Sequence, residues 1–498
     1  MNFHFSIAAL SVAILALSAA TNAARADAAA AADEASVREY APNGDELTPE
    51  RKANLTAART LFEAAKAQGG ESRRAFFGGV ADRAARTVTL YGEATGLKPG
   101  DIAEFGAITQ ASAHDYESLF VVFADPADIA AAVEFLGVPR GRPASGRDLA
   151  FWPKGERVRM TVVRALSDGS SAESAARPVG ALIRDAKADR TLDDERPVYC
   201  GSLWTTKDGS PRCLAEDDGP GSLLSSYNEP ATLFDMPFQS PQTEVYERYL
   251  VSANYAFAKG DFVRIEISPE PAPDGAARRV LDLALAVSPK NAAPEFRFAA
   301  RTPVQDGAAS ALEYAGVPEG PLPMMEFLRF SVELAKKRDP FVQVSFDDGL
   351  TVDQAAKTAE VLRRLDTPRA LRIEAPPEGQ LYYQAFLPRA EWANRADRTS
   401  QPCELRFARG ADGALSATLV KIEEIWSDKP DELRPDLKVS ETPAAAPDAF
   451  AAQLEATGVD LTVLLVFAPK DARLGEILPR VRAVVKTHPN VYIFGEER

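Results

Sequence analysis

Histidine is rare in this chain, and one of its three histidines stands near a glutamate. His114 precedes Glu117 by three residues in the stretch SAHDYESLF, directly before an apolar run. An imidazole and a carboxylate can act as a general acid–base pair or contact a ligand. The structural alternative is that His114 hydrogen-bonds a neighbouring loop while Glu117 lies on the solvated face. An extended strand would put the two side chains on opposite faces, which disfavours a joint active site.

Two adjacent tyrosines form a second candidate contact for a ligand or partner. Tyr382 and Tyr383 occur in GQLYYQAFLP, and such aromatic side chains either line a groove or interface or pack in a core. The sequence contains no G-x-S-x-G, no H-E-x-x-H and no EF-hand loop. We therefore assign no catalytic residue and expect no cofactor. If the chain is an enzyme, we expect its catalytic groups to be a pair of carboxyl groups among the 72 Asp and Glu residues.

The three cysteines allow one disulfide. Cys200 and Cys213 are separated by the polar segment GSLWTTKDGSPR, so an oxidising compartment would permit them to close a small loop. Cys403 is then left over, and the odd count together with a large apolar composition argues against the bridge. A zinc site is not expected, because the sequence has no C-x-x-C and no histidine near the cysteines.

Composition indicates a globular protein and limits its partners. The 498 residues are 46% hydrophobic and 26% charged, and the formal net charge is −15. That length suits about three domains. An acidic chain offers few clustered Lys and Arg side chains for phosphate, so nucleic acid and anionic membranes are not expected partners.

The N-terminus has the pattern of an export signal. An apolar run from Phe5 to Ala20 is followed by Ala24-Arg25-Ala26, a small-x-small site for cleavage before Asp27. The run is short for a membrane span. We expect a signal peptide over 1–26, a periplasmic or secreted protein, and no stable membrane span after cleavage. An uncleaved anchor is the alternative, because the segment before the apolar run has no Lys or Arg.

Local patterns predict a β-rich first part with two clear helices. An Ala-rich leader over 27–47 precedes a helix over 48–70, with Thr48 as its cap and Pro49 at its first position. SLFVVFA reads as a buried strand. The segment DPADIAAAVEFLGVP then predicts a helix capped by Asp125 and ended by Gly137.

These segments resemble a known family. The order of a strand, LKPGDIAEFGAI and HDYESLFVVFADPADIAAAVEFLGVPRG, followed by VYCGSLW, CLAEDDGPGSLLSSYNEPATLFDMP and GDFVRIEISP, is similar to the YdjY-domain family of exported bacterial proteins. The resemblance covers about 76–269. The family's adjacent His-Glu pair is here spread over positions 114–117. The resemblance implies an exported module over 71–275 and supplies no catalytic residue.

The C-terminal part contains two β-α-β patterns. In 341–375, alternating apolar residues lead into a helix opened by the capping box Thr351 and Gln354. Residues 460–498 repeat this plan, so each unit should place two strands in parallel. The last unit resembles the small periplasmic domain of ExbD/TolR-type transport proteins, which implies an interaction domain. Residues 426–450, rich in Pro, Ala and charge, are expected to be a linker.

Together these patterns predict an α+β, multidomain chain with a β-rich N-terminal module followed by small β-α-β units. The expected segments after 275 are a second α+β domain over 276–425, the linker, and the unit over 451–498. We expect a non-enzymatic envelope protein that binds other envelope proteins or polymers. A carboxylate-based hydrolase acting on envelope polymers is the alternative.

Overall fold

A computed structural model describes most of the chain after residue 46. The described residues are 47–496 without 174, 194, 208, 218–220, 274, 276–277, 292, 302–317, 319, 378, 388–401, 426–435 and 460–461. The expected signal peptide over 1–26 and all but the last residue of the expected leader over 27–47 lie outside the described residues.

The first part of the chain, residues 73–269, is dominated by strands and is called the first module below. Its strands are β1 (Arg73–Phe76), β2 (Gly79–Asp82), β3 (Thr87–Ala94), β4 (Phe105–Thr109), β5 (Phe120–Val122), β6 (Val158–Arg164), β7 (Arg177–Pro178), β8 (Ile183–Asp185), β9 (Arg190–Thr191), β10 (Val198–Tyr199), β11 (Trp204–Lys207), β12 (Ser210–Cys213), β13 (Ser222–Ser225), β14 (Phe234–Asp235), β15 (Tyr249–Val251) and β16 (Phe262–Pro269). The helices in and before it are α1 (Pro49–Gln68), α2 (Pro126–Phe135), α3 (Leu214–Asp217) and α4 (Val245–Arg248).

Most of these strands join one large sheet with the path β10–β14–β13–β4–β5–β3–β16–β6–β7, from which β2 and β1 extend beside β3. All three residues of β5 are buried, as the apolar run predicts. β4 is buried along its whole length as well. The site described below lies at the ends of β4, β5 and β13, so its supports are strands fixed by core packing.

The rest of the chain builds two further sheets. The second sheet contains β17 (Val280–Lys290), β18 (Ala293–Ala300), β19 (Leu322–Pro323), β20 (Asp339–Phe346) and β21 (Arg372–Ile373), with helices α5 (Met324–Lys337) and α6 (Val352–Leu365). The third sheet contains β22 (Cys403–Arg409), β23 (Leu415–Ile425), β24 (Asp436–Pro443), β25 (Val463–Pro469) and β26 (Asn490–Glu496), with helices α7 (Pro447–Glu455) and α8 (Leu474–Val484).

The second and third sheets have the same topology. Their strand orders are β19–β18–β17–β20–β21 and β24–β23–β22–β25–β26. In each, the central strand pairs antiparallel with the next strand in sequence and parallel with the strand that follows the first helix. The last two strands of each sheet are parallel, as the β-α-β patterns predict. Side chains of both sheets belong to one hydrophobic cluster.

Several local predictions are confirmed. Thr48 caps α1, and its side chain accepts a hydrogen bond from the backbone N–H of Arg51. Thr351 and Gln354 form the predicted capping box of α6. Asp125 stands at the N-cap position of α2 with Pro126 at the first helical position, but the Asp125 side chain makes no capping hydrogen bond. The mixed α+β class is confirmed too.

The expected linker over 426–450 is wrong where the structure describes it. Asp436–Pro443 is strand β24, which pairs with β23 over eight residues, and Pro447 begins α7. Pro, Ala and charged residues are typical of linkers, but an exposed edge strand tolerates the same residues. The third sheet consequently begins at Cys403, well before the predicted unit over 451–498. Within the described residues, no helix is both long and apolar enough to cross a membrane.

Candidate functional site

A single turn of 3-10 helix brings His114 and Glu117 together. Asp115–Glu117 form this turn between β4 and β5, and three residues per turn place positions 114 and 117 on one side. Nδ1 of His114 lies 2.6 Å from Oε1 of Glu117. The expectation that they face opposite ways is therefore wrong, because the chain is helical here and not extended.

The two side chains differ in their access to solvent. The Glu117 side chain is only 7% exposed, whereas that of His114 is 39% exposed. The alternative that placed Glu117 on the solvated face is thus also wrong. The imidazole is oriented by the edge of the Phe105 ring, at 5.7 Å between centroids. His114 therefore connects a buried carboxylate to the surface.

A second glutamate lies beside Glu117. Glu104 directly precedes β4 and is 3% exposed, and its Oε1 accepts a 3.3 Å hydrogen bond from Gln242. Burial raises the pKa of Glu104, and the neighbouring Glu117 raises it further. Oε2 of Glu104 is buried without a hydrogen-bond partner among the described residues. Burial and a neighbouring carboxylate both favour the protonated form of Glu104.

A third glutamate completes the group. Glu229 follows β13 and is 6% exposed, and Tyr227 donates its hydroxyl hydrogen to Oε2 at 3.1 Å. Burial raises the pKa of Glu229 to about 7, although hydrogen bonds from Ser222 and Tyr227 oppose the rise. The charge of Glu104 raises it too. Oε1 of Glu229 has no hydrogen-bond partner in the described part of the chain.

Glu104, Glu117, Glu229 and His114 are called the acid cluster below. Sequence reasoning found only His114 and Glu117, because the other members come from segments far apart in the chain. The available signal was a lone carboxylate next to a buried strand, in DIAEFGAI for Glu104 and in SSYNEPAT for Glu229. Such a carboxylate must be hydrogen-bonded, neutralised or functional.

Two tyrosines cover the outer side of the acid cluster and are called the tyrosine rim. Tyr116 is 67% exposed and Tyr246 is 53% exposed. The Tyr116 hydroxyl lies 3.4 Å from Nδ1 of His114. Tyr246 follows Gln242, the hydrogen-bond donor to Glu104, by four residues, and the charge of Glu104 raises the pKa of Tyr246. Two large aromatic side chains are thus exposed beside the buried carboxyl groups.

Tyr382 and Tyr383, the second predicted contact, are used inside the protein. Tyr383 is 2% exposed and donates a 2.7 Å hydrogen bond to Oδ2 of Asp366. Tyr382 donates to the backbone oxygen of Ile373 at 3.0 Å, and its ring packs edge-on against Phe151 of the first module. A buried Tyr383 is not available to a partner, so the packing alternative is the one observed for this residue.

The predicted disulfide is not formed. Cys200 is a free thiol whose sulfur lies 3.4 and 3.3 Å from the backbone oxygens of Thr232 and Leu233. Burial raises the pKa of Cys200. In the register of the β11–β12 hairpin, Cys213 lies opposite Trp204. Core packing already fixes both segments, so this local structure does not need a disulfide bond.

Within the described residues, one edge of the third sheet is unpaired. β24 is the end strand of that sheet, and all but one of its residues are exposed. Leu437 and Val439, two residues apart and hence on one face, are 54% and 53% exposed. Edge strands with exposed apolar side chains are able to pair with another chain.

Among the described residues, no group of three or more His, Cys, Asp and Glu side chains is arranged to hold a metal ion. We therefore describe the acid cluster by the hydrogen bonds and the pKa values of its members.

Comparisons with family models, curated proteins and solved structures found no match to this chain. The resemblances to YdjY-domain and ExbD/TolR-type proteins remain predictions.

Proposed function

We propose that this is an exported envelope protein that binds, without converting it, a hydroxyl-rich polymer such as a polysaccharide at the acid cluster and tyrosine rim. The observation that carries the proposal is the placement of Tyr116 and Tyr246 on the surface over the buried carboxylates of Glu104 and Glu117. The apolar N-terminal run and the YdjY-like segments support export.

The chemistry of the surface suits such a polymer. The half-exposed imidazole of His114 is able to form hydrogen bonds with hydroxyl groups. Tyrosine rings offer apolar faces together with a polar tip, which fits ligands that have both C–H and O–H surfaces. A net charge of −15 disfavours a polyanion held by general electrostatics. A neutral polyhydroxylated chain meets all three conditions.

Binding without conversion is supported by the cover over the acid pair. Glu104 and Glu117 are 3% and 6% exposed, so a bond to be cleaved does not reach both carboxyl groups without rearrangement. The half-exposed His114 and the tyrosine rim remain available for contact.

Cosedimentation with insoluble envelope polysaccharide tests the proposal. The mature chain, residues 27–498, should sediment with the polymer. A Tyr116→Ala/Tyr246→Ala variant should bind about thirtyfold more weakly, because each of the two aromatic contacts contributes roughly 1 kcal/mol. Leu166→Ala, which removes a side chain that is 53% exposed elsewhere in the first module, should bind like the unmodified chain. Equal sedimentation of all three proteins would contradict the proposal.

A hydrolase acting on the same polymer is the second candidate. It is favoured by the proximity of Glu104, whose pKa is raised, to Glu117, since a pair of neighbouring carboxyl groups is able to supply an acid and a base. The test is release of soluble fragments from the polymer. Turnover that Glu104→Gln and Glu117→Gln each abolish while binding persists would establish the hydrolase, and absence of fragments with intact binding would support the binding protein.

A further inference from the structure

A cavity of about 670 Å³ opens between the first module and the second sheet. Among the described residues, its walls carry six cationic side chains and one carboxylate, Glu195. The cations are Arg157, Arg190 and Arg248 from the first module and Arg279, Lys336 and Arg369 from the second sheet and its helices. In a chain whose net charge is −15, such a local excess of positive charge is unexpected on composition.

Two of these arginines are fixed from behind by buried carboxylates. Asp339 is 2% exposed and accepts hydrogen bonds from Nε and Nη2 of Arg157 at 2.8 and 2.9 Å. Asp185 is 1% exposed and accepts one from Nε of Arg248 at 2.9 Å. Neither carboxylate lines the cavity. The guanidinium groups are therefore held in place while a part of their five N–H donors remains for a ligand.

Other donors in the wall have unused capacity. Nε of Arg279 is buried and makes no hydrogen bond to the described residues, although it lies 3.4 Å from Oδ2 of Asp339. Arg369 is exposed, and in the described part of the chain no carboxylate lies within ion-pair distance of it. A buried donor without a partner is costly unless a ligand or water satisfies it.

The size and the remaining lining limit the ligand. Cavities of some 300–1,000 Å³ suit small molecules. Pro237, Phe238, Val332, Ala335 and Pro368 supply apolar surface beside the cations. The arrangement fits a small organic molecule that carries two or more oxyanion groups and some apolar surface.

We propose that this cavity binds a small molecule bearing phosphate or carboxylate groups, with the arginines of the first module and those of the second sheet gripping it from two sides. Planar guanidinium groups match both oxyanions in bidentate geometry. The ligand would thereby tie the first module to the second sheet, and its site is separate from the acid cluster.

Calorimetric titration of the mature chain with pyrophosphate and, separately, with citrate tests this proposal and distinguishes the two oxyanion sources. Saturable binding of at least one probe at low salt is expected, weakening as NaCl is raised from about 20 to 200 mM. Lys336→Glu/Arg369→Glu should weaken that binding at least tenfold. Both replaced side chains are exposed, so folding should not be at risk.

Lys337→Glu/Arg364→Glu is the matched control. These side chains are exposed on α5 and α6 but do not line the cavity, and the net charge changes equally. The control should bind like the unmodified chain. Loss of binding in the cavity variant alone supports the proposal. Binding of neither probe, or equal binding by both double variants, overturns it. The Tyr116→Ala/Tyr246→Ala variant should bind the probe normally. The test of the cavity is therefore independent of the test of polymer binding.

Discussion

Thr351 and Arg473 face each other in an antiparallel bridge that joins the second and third sheets. Each is the N-cap of a helix, α6 or α8. The backbone bonds around them are reciprocal. Val352 N–H donates to Ala472 O at 2.9 Å, and Leu474 N–H donates to Leu350 O at 2.8 Å. A second reciprocal pair of hydrogen bonds lies next to the first. Asp353 N–H donates to Lys470 O, and Gly475 N–H donates to Asp348 O. The two units of like topology thus meet about a local two-fold axis.

Val352→Pro tests this joint. Val352 is the first residue of α6, a position where proline is compatible with the helix, so the substitution chiefly removes the N–H that donates to Ala472 O. Leaving that acceptor unsatisfied should lower the free energy of unfolding by about 1–3 kcal/mol. Val352→Ala serves as the control for lost side-chain packing. If urea unfolding shows no loss beyond the control, the bridge does not stabilise the joint.

Asp339→Asn should strongly destabilise the boundary between the first module and the second sheet. Asp339 is buried and contacts Arg157, Arg279 and Arg372. Removing the charge leaves these guanidinium groups uncompensated, and a loss of about 3–5 kcal/mol is expected in urea unfolding at pH 7. Asp348→Asn, at a surface ion pair, should cost less than about 1 kcal/mol. Similar losses in the two variants would contradict this ranking.

The same carboxylate predicts acid sensitivity. Burial alone would raise the pKa of Asp339, but the charges of Arg372 and Arg157 hold it well below its usual value of 3.8. Because the folded-state pKa is lowered, its stabilising contribution is present above pH about 4 and is lost as the pH falls. The gap in unfolding free energy between the unmodified chain and Asp339→Asn should narrow below that pH. A constant gap from pH 7 to pH 3 would disagree.

Titration of Glu229 should change the free energy of unfolding with pH in the opposite direction. Its pKa is raised from 4.5 to about 7 by burial, so the folded state holds the proton more tightly than the unfolded chain. Stability should therefore fall as the pH rises from about 4.5 to 7, by roughly 3 kcal/mol at most. Glu229→Gln removes the titration and should flatten this fall, whereas Glu244→Gln, at a more exposed site, should leave it unchanged.

The open edge of β24 is the surface on which we expect an envelope protein to pair as an added strand. Leu437→Lys/Val439→Lys puts charge on this edge and should abolish recovery of that partner in a crosslinked pull-down from the cell envelope. Leu166→Lys, an exposed substitution in the first module, should not. Recovery of the same partner by both variants would exclude the edge as its binding surface.

Sequence patterns predict the local elements where capping chemistry and apolar periodicity agree. The buried residues of α8, at the apolar spacing of an amphipathic helix, are Leu474, Ile477, Leu478, Val481 and Val484. β24 was missed because an edge strand need not alternate between apolar and polar residues when both of its faces are exposed. The shared topology of the second and third sheets was only partly foreseen, since the preceding hairpins carry no matching motif.

The acid cluster illustrates a different limit. Glu104 and Glu229 are brought together by the pairing of β4 with β13, a long-range contact that no local spacing encodes. The meeting of His114 and Glu117 depended on three residues adopting a 3-10 turn instead of extending the following strand. Whether three residues form a 3-10 turn or extend a strand depends on tertiary context more than on intrinsic propensity.

The central claim is that the acid cluster and tyrosine rim bind a hydroxyl-rich polymer. It is tested most directly by calorimetric titration of soluble fragments of that polymer into the mature chain, Glu117→Gln and the surface control Glu244→Gln. We predict saturable binding by the mature chain and the control, and at least tenfold weaker binding by Glu117→Gln, because Glu117 holds the half-exposed ring of His114 in place through a contact of 2.6 Å between Oε1 and Nδ1. Equal affinity of all three proteins would contradict the claim.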